Sequence, residues 1–157
     1  MAYIYPAPGV SGVQLTLTLK VGTETLGLSV PALQNVTLNN SNDVFTWTTL
    51  DSGSKQQVAT TATNSLDMSI VVDQVAFFGA ASAIVGNQAA TKGLFGLSKE
   101  KTLVKFDLYL GDQSDATNGK TVSGQGYITG LAPTVSADSP VWVSPVTITV
   151  TGDYTVA

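Results

Sequence analysis

Hydrophobic and polar residues alternate with a period of two through most of this chain, and the period changes to that of a helix once. Leu15, Leu17, Leu19 and Val21 fall on one side of an extended segment, with Gln14, Thr16, Thr18 and Lys20 on the other. That pattern predicts a half-buried strand over 13–21. Gly22 offers a turn, and a second strand fits 25–30, ending near Pro31. Residues 38–64 are polar and long for a connection. Within them, 44–49 and 56–61 read as a hairpin turning at Asp51-Ser52-Gly53-Ser54. From 65 to 73 the alternation runs on, interrupted at Val71. Leu66, Met68, Ile70 and Val72 share one face, and Ser65, Asp67, Ser69 and Asp73 share the other.

The helical pattern covers 87–98. Asn87 suits an N-cap, and Ala90, Leu94 and Leu97 form one stripe. Lys99 and Lys101 then suit the negative end of the helix dipole. Gly93 and Gly96 lower the helix propensity and leave room for close packing on a sheet. Further strands follow. In one, Val104, Phe106, Leu108 and Leu110 alternate with Lys105, Asp107 and Tyr109. In the next, 121–129, Ser123, Gln125 and Tyr127 oppose Val122, Gly124, Gly126 and Ile128. Gly124-Gln125-Gly126 points to a bend or a close backbone approach. The last strand, 141–150, turns Val146, Ile148 and Val150 inward and Thr147 and Thr149 outward. This layout predicts a mainly β domain over 1–157: a β-sandwich or partly open barrel of antiparallel strands, with one short flanking helix and a long hairpin loop at 38–64. Residues 1–12 form an extended arm held by Pro6 and Pro8. Tyr3 and Tyr5 of that arm either fray with the terminus or lie on a neighbouring molecule.

Composition narrows the function. The chain has no histidine, cysteine or arginine, and all seven of its cations are lysines. Those three residues supply most general bases, soft metal ligands and bidentate phosphate clamps. Only 11% of residues are charged, against 43% hydrophobic. A surface so poor in charge favours self-association. Lys92, Lys99, Lys101 and Lys105 cluster, but as a solvated helix end and strand start. A nucleic-acid groove needs a wider basic stripe with interleaved aromatics. No segment is apolar enough to span a bilayer as a helix, and the start lacks the n-region of a secretory leader. The sequence therefore predicts no membrane partner and assembly in a cytoplasm.

No chemical constellation survives inspection. Asp67 and Asp73 would lie about 20 Å apart on one strand, too far for a glycosidase pair. Asp112, Asp115 and Asn118 lack the spacing of a calcium loop. Ser123 has no histidine to activate it. The expectation is no enzyme, no metal and no cofactor. Trp47 lies beside Phe45 in the hairpin region, either as its own small core or as an interface anchor, with the anchor preferred. Trp142 reads as an edge or core residue.

This layout resembles the major tail tube proteins of long-tailed bacteriophages, whose fold is shared by type VI secretion tube proteins. The residues that carry the resemblance are Lys101 to Leu110 after a short helix, Thr121 to Gly130, Leu131 to Asp138, and Val146 to Val150 with Gly152. The arm, the 38–64 loop and the 87–98 helix fall where that family places them. The resemblance implies a structural virion protein, with about six copies in a ring. Rings would stack into a tube in the virion tail, assembled in the host cytoplasm, through which genomic DNA passes without specific binding. It implies tape measure, terminator and distal tail proteins as partners. It places Asp67, Ser69, Asp73, Ser123, Gln125 and Tyr127 on a negative channel wall, the alternative being that they face outer solvent. It places Tyr3, Tyr5, Phe45 and Trp47 between subunits. A capsid decoration or head-fibre protein, and a carbohydrate-binding β-sandwich, are the rival readings.

Overall fold

The computed structural model of the chain describes residues 13–30, 33–51, 53–112 and 120–157. The arm at 1–12, with Tyr3 and Tyr5, and the loop holding Asp115 and Asn118 lie outside the described residues. The elements in chain order are β1 (Val13–Val21), β2 (Leu28–Ser29), β3 (Leu33–Trp47), β4 (Gln56–Val71), α1 (Gln74–Phe78), α2 (Gln88–Lys99), β5 (Val104–Asp112), β6 (Lys120–Leu131), β7 (Thr134–Ser136), β8 (Ser139–Val150) and β9 (Thr155–Val156). The strands make one antiparallel sheet in the order β2-β1-β5-β6-β8-β4-β3, with β7 added to β8 and β9 to β6. The two ends of that order do not pair, so the barrel stays open, as the alternation predicts.

Register explains the core. Leu17, Leu19 and Val21 stand opposite Leu108, Phe106 and Val104, and all six are buried. Across β8, Ile148 and Val146 oppose Leu66 and Met68, again buried. Phe77, Ala89, Leu94 and Leu97 bring the helices onto this same face. A buried side chain of this size contributes about 1.5–3 kcal/mol relative to exposure. The glycines of β6 make room: a Cβ on Gly124 would come within 2.8 Å of the Phe106 ring, and one on Gly126 would strike the Thr149 carbonyl.

Four local outcomes differ from the sequence expectation. First, the hairpin and the strand after it are one unit. β3 and β4 pair from Leu33–Ile70 to Trp47–Gln56, with register shifts between Leu33 and Asn35 and between Asn42 and Val44. Second, β4 ends at Val71, and a helix unpredicted from sequence follows. Asp73 is its N-cap, accepting from the Val75 and Ala76 N–H groups at 3.0 Å each. Third, α2 begins as expected, with the Asn87 side chain accepting from Ala90 N–H at 3.0 Å, but it kinks at Gly93. Gly93 has φ of 69°, and a Cβ there would strike the backbone of Gly79. Its closeness serves α1 rather than the sheet. Fourth, the segment predicted as a strand over 25–30 pairs only at Leu28–Ser29.

The C-terminal segment closes one end of the core. Past Gly152, at φ 87°, the chain stays on the edge of β6 that β8 occupies and continues along it as β9. Tyr154 packs edge-on to Phe106 at 6.1 Å. Its hydroxyl lies 2.8 Å from the Asn39 carbonyl and 2.9 Å from that of Ser65.

Candidate interaction surfaces

The strand face opposite the core is polar, and register shows how far it extends. Asp67 pairs with Thr147, Thr149 with Tyr127, and Gln125 with Lys105, so these residues share one face across β4, β8, β6 and β5. Alternation adds Ser69 and Ser123. The structure thus brings five of the six predicted wall residues together: Asp67, Ser69, Ser123, Gln125 and Tyr127. Asp73 does not join them. It lies past the strand end, where its carboxylate caps α1.

The face carries charge of both signs. Asp67 is half-buried and its oxygens are occupied. Thr147 Oγ1 donates to it at 2.9 Å, Asn39 Nδ2 donates to its other oxygen, and Ser65 Oγ lies at 3.5 Å. Sequence reasoning attached no role to Lys20, Lys105, Asp107 and Asn39. Lys20 and Asp107 form an ion pair at 3.3 Å, and Ser123 Oγ donates to Asp107 at 2.8 Å. On this face Lys20 and Lys105 stand with Asp67 and Asp107, and Asp153 lines the same hollow as Lys105, Asp107, Ser123 and Gln125, so two lysines meet three aspartates. Strand alternation already placed Lys20, Lys105 and Asp107 outward. Only the pairing of β1 with β5 shows that they meet.

The fold perturbs the protonation of the Tyr154 hydroxyl. Burial first, and then the Asp67 charge, raise its pKa above the ordinary 10.0; the hydrogen bond to Ser65 opposes them. Among the described residues, no three of His, Cys, Asp and Glu gather into a metal site. No described helix is long and apolar enough to cross a membrane. Of the lysine cluster, Lys92 pairs with Glu100 at 2.6 Å and Lys99 and Lys101 are exposed.

A second surface is the outer half of the β3–β4 ribbon. β8 covers β4 only from Ser65 to Val71. Beyond that, two strands stand alone, and a two-stranded ribbon is marginal without further contacts. Its end is apolar. Phe45 stacks on Trp47 at 5.8 Å, Val58 lies opposite Phe45, and all three are exposed. Leu50, in the connection, is fully exposed. The register shift beside Asp43 is held by Thr60 and Thr61, whose hydroxyls donate to its backbone and side chain at 3.1 and 2.8 Å.

A third surface escaped sequence reasoning because α1 did. Phe78 lies 4.9 Å from Phe77, 5.8 Å from Phe95 and 6.3 Å from Trp142, ring centre to ring centre. Phe77 is buried, while Phe78, Phe95, Trp142 and Val75 are exposed. Val72, Gln74, Phe78 and Trp142 line a cleft of about 340 Å³. Trp142 is thus part of an exposed cluster rather than of the core. A five-residue helix carries too little periodicity to detect. The Phe77-Phe78 pair after a capping Asp73 was the available signal.

No protein-family model matches this chain, and no curated protein matches it. Solved structures do. A chain of the tail of an empty gene transfer agent particle, refined with C6 symmetry, matches with a TM-score of 0.66 at 11% identity, over 91% of this chain and 95% of that one. The SPP1 tail tube matches with a TM-score of 0.66 at 10% identity, over 90% and 75%. A chain of the sheath–tube complex of PVC, an extracellular contractile injection system, matches with a TM-score of 0.56 at 14% identity, over 90% and 87%. At such identities the likeness shows the fold. The chain carries the fold of tail tube proteins, as its strand layout led us to expect.

Proposed function

We propose that this chain is a non-enzymatic subunit of a virion tail tube, with rings of about six copies stacked into a hollow conduit. The observation that carries the reading is the sheet itself. It is open at both ends of its strand order, and among the described residues its face opposite the core is hydroxyls, amides and charges of both signs. An open edge is a liability in a free monomer and a joint in a closed assembly. The C6 symmetry of the similar gene transfer agent tail supports the copy number. In this reading 1–157 is one tail-tube domain. Asp67, Ser69, Ser123, Gln125 and Tyr127 face the channel. The hairpin at 38–64, through Phe45 and Trp47, bridges successive rings, and the arm at 1–12, through Tyr3 and Tyr5, contacts a neighbour.

The charge of this face suits a conduit for DNA. A wall that holds phosphates releases counterions and grips its cargo. Here Asp107 neutralises Lys20, and Asp67 and Asp153 outnumber Lys105. Genomic DNA slides past without a specific site. The subunit assembles in the host cytoplasm and meets tape measure, terminator and distal tail proteins in the finished tail. Electron microscopy of the purified protein tests this reading: it predicts six-fold rings or long hollow tubes. Trimers alone, in native mass spectrometry and on virions, would replace it with a capsid decoration protein.

A further inference from the structure

We infer that the apolar tip of the hairpin, Phe45, Trp47 and Val58, docks on the aromatic cluster of Phe78, Phe95 and Trp142 of a second copy of this chain. The inference rests on the tube reading and specifies its joint. The two surfaces have the same chemistry, and they lie at opposite ends of one element. Trp47 pairs with Gln56 at the start of β4. At its other end, Val72 N–H donates to the Trp142 carbonyl at 2.9 Å, in the wall of the cleft. Fifteen steps separate Gln56 from Val71, which at strand rise is roughly 50 Å. The tip therefore does not fold back onto the cluster of its own chain. A contact between unlike patches at opposite ends of a molecule is head-to-tail. Repeated, it builds an open stack along the strand direction rather than a closed dimer.

The details of the two patches agree. The cleft of about 340 Å³ is walled by Phe78 and Trp142, and a tryptophan or phenylalanine ring brings a rigid apolar surface to such a wall at little cost in rotamer freedom. Each rim carries charge of both signs that the other can match. Asp51 and Lys55 are exposed in the connection at the tip. Lys99 is exposed one helical turn beyond Phe95, on the same side of α2, and Asp73 is exposed at the start of α1.

The absence of cysteine in the chain makes a clean test. Leu50→Cys marks the tip and Val75→Cys the rim of the cluster; both positions are exposed, so folding is preserved. The two single variants are mixed, assembled and treated with a short bis-maleimide. The expected product is a crosslinked dimer joining position 50 of one chain to position 75 of another. It should exceed the dimers that either variant gives alone, and it should be lost when the Val75→Cys chain also carries Trp142→Ala. Wild-type protein that forms no tube overturns both this inference and the tube reading. Tubes in which the mixed crosslink is absent, or in which position 50 joins mainly to position 50, leave the tube reading standing and overturn the pairing.

Discussion

Replacing Asp67 by asparagine should destabilise the fold, although its position on a polar strand face suggests a harmless change. The carboxylate accepts from Thr147 Oγ1 at 2.9 Å through one oxygen and from Asn39 Nδ2 through the other. Hydrogen bonds to a charged group contribute about 1.5–3 kcal/mol, and neutral ones about 0.5–1.5. Asparagine keeps the shape, loses the charge, and turns one acceptor into a donor. If its Nδ2 faced Asn39, two donors would meet. It must face Thr147, whose hydroxyl can rotate to accept. Both bonds then survive in neutral form, at a cost of about 1–2 kcal/mol after allowing for the half-exposed site. A domain of this size loses roughly 2–4 °C in Tm per kcal/mol, so thermal unfolding followed by circular dichroism should shift by several degrees. A double-mutant cycle with Thr147→Val isolates the pair. Thr147→Val alone leaves the carboxylate short of a donor, and the two changes should couple by at least about 0.5 kcal/mol. An unshifted Tm, or strict additivity, would refute the claim that this carboxylate belongs to a network.

Three further outcomes follow from the same geometry. The raised pKa of Tyr154 gives stability that is fully present below pH 10 and is lost as pH rises through the folded value; Tyr154→Phe should flatten that alkaline decline in urea titrations, and an equal slope in both proteins would sink the assignment. Gln125→Lys changes an exposed residue opposite Lys105, should cost under about 1 kcal/mol, and adds one cation per subunit, so DNA release from triggered virions should slow at low salt and recover at moderate salt; unchanged release at both would put this face outside the channel. Deleting 44–60 joins Asp43 to Thr61, whose side chains already touch at 2.8 Å; the product should fold with little loss of Tm yet fail to elongate, and normal-length tubes would refute the bridging role of the hairpin.

Period-two alternation was enough to read most of the fold, because nearly every strand buries one face and exposes the other. Leu66, Met68 and Ile70 were legible for that reason, as were Val146, Ile148 and Val150. The long hairpin was not legible as one piece, because the register shift at Asn42–Val44 breaks the alternation and its outer half buries nothing. Asp73 misled because a capping aspartate falls in phase with Ser65, Asp67 and Ser69, although Val71 interrupts that side. Only the helix after it, too short to show a period, distinguishes the two. The polar face was half legible. Which residues point outward is local information, but that Lys20 meets Asp107, or Asp67 meets Thr147 and Asn39, depends on partners far away in the chain. The polar face read from two aspartates therefore holds two lysines among three aspartates.

The account stands most directly on where the polar sheet face points in the assembly. A cryo-electron microscopy reconstruction of the assembled protein at side-chain resolution would show it. The account predicts a hollow tube of stacked rings in which Asp67, Ser69, Ser123, Gln125 and Tyr127 face the axis and the helices α1 and α2 lie away from it. A tube whose lumen is lined by the helices, with that face turned to outer solvent, would contradict it, and so would a particle with no lumen.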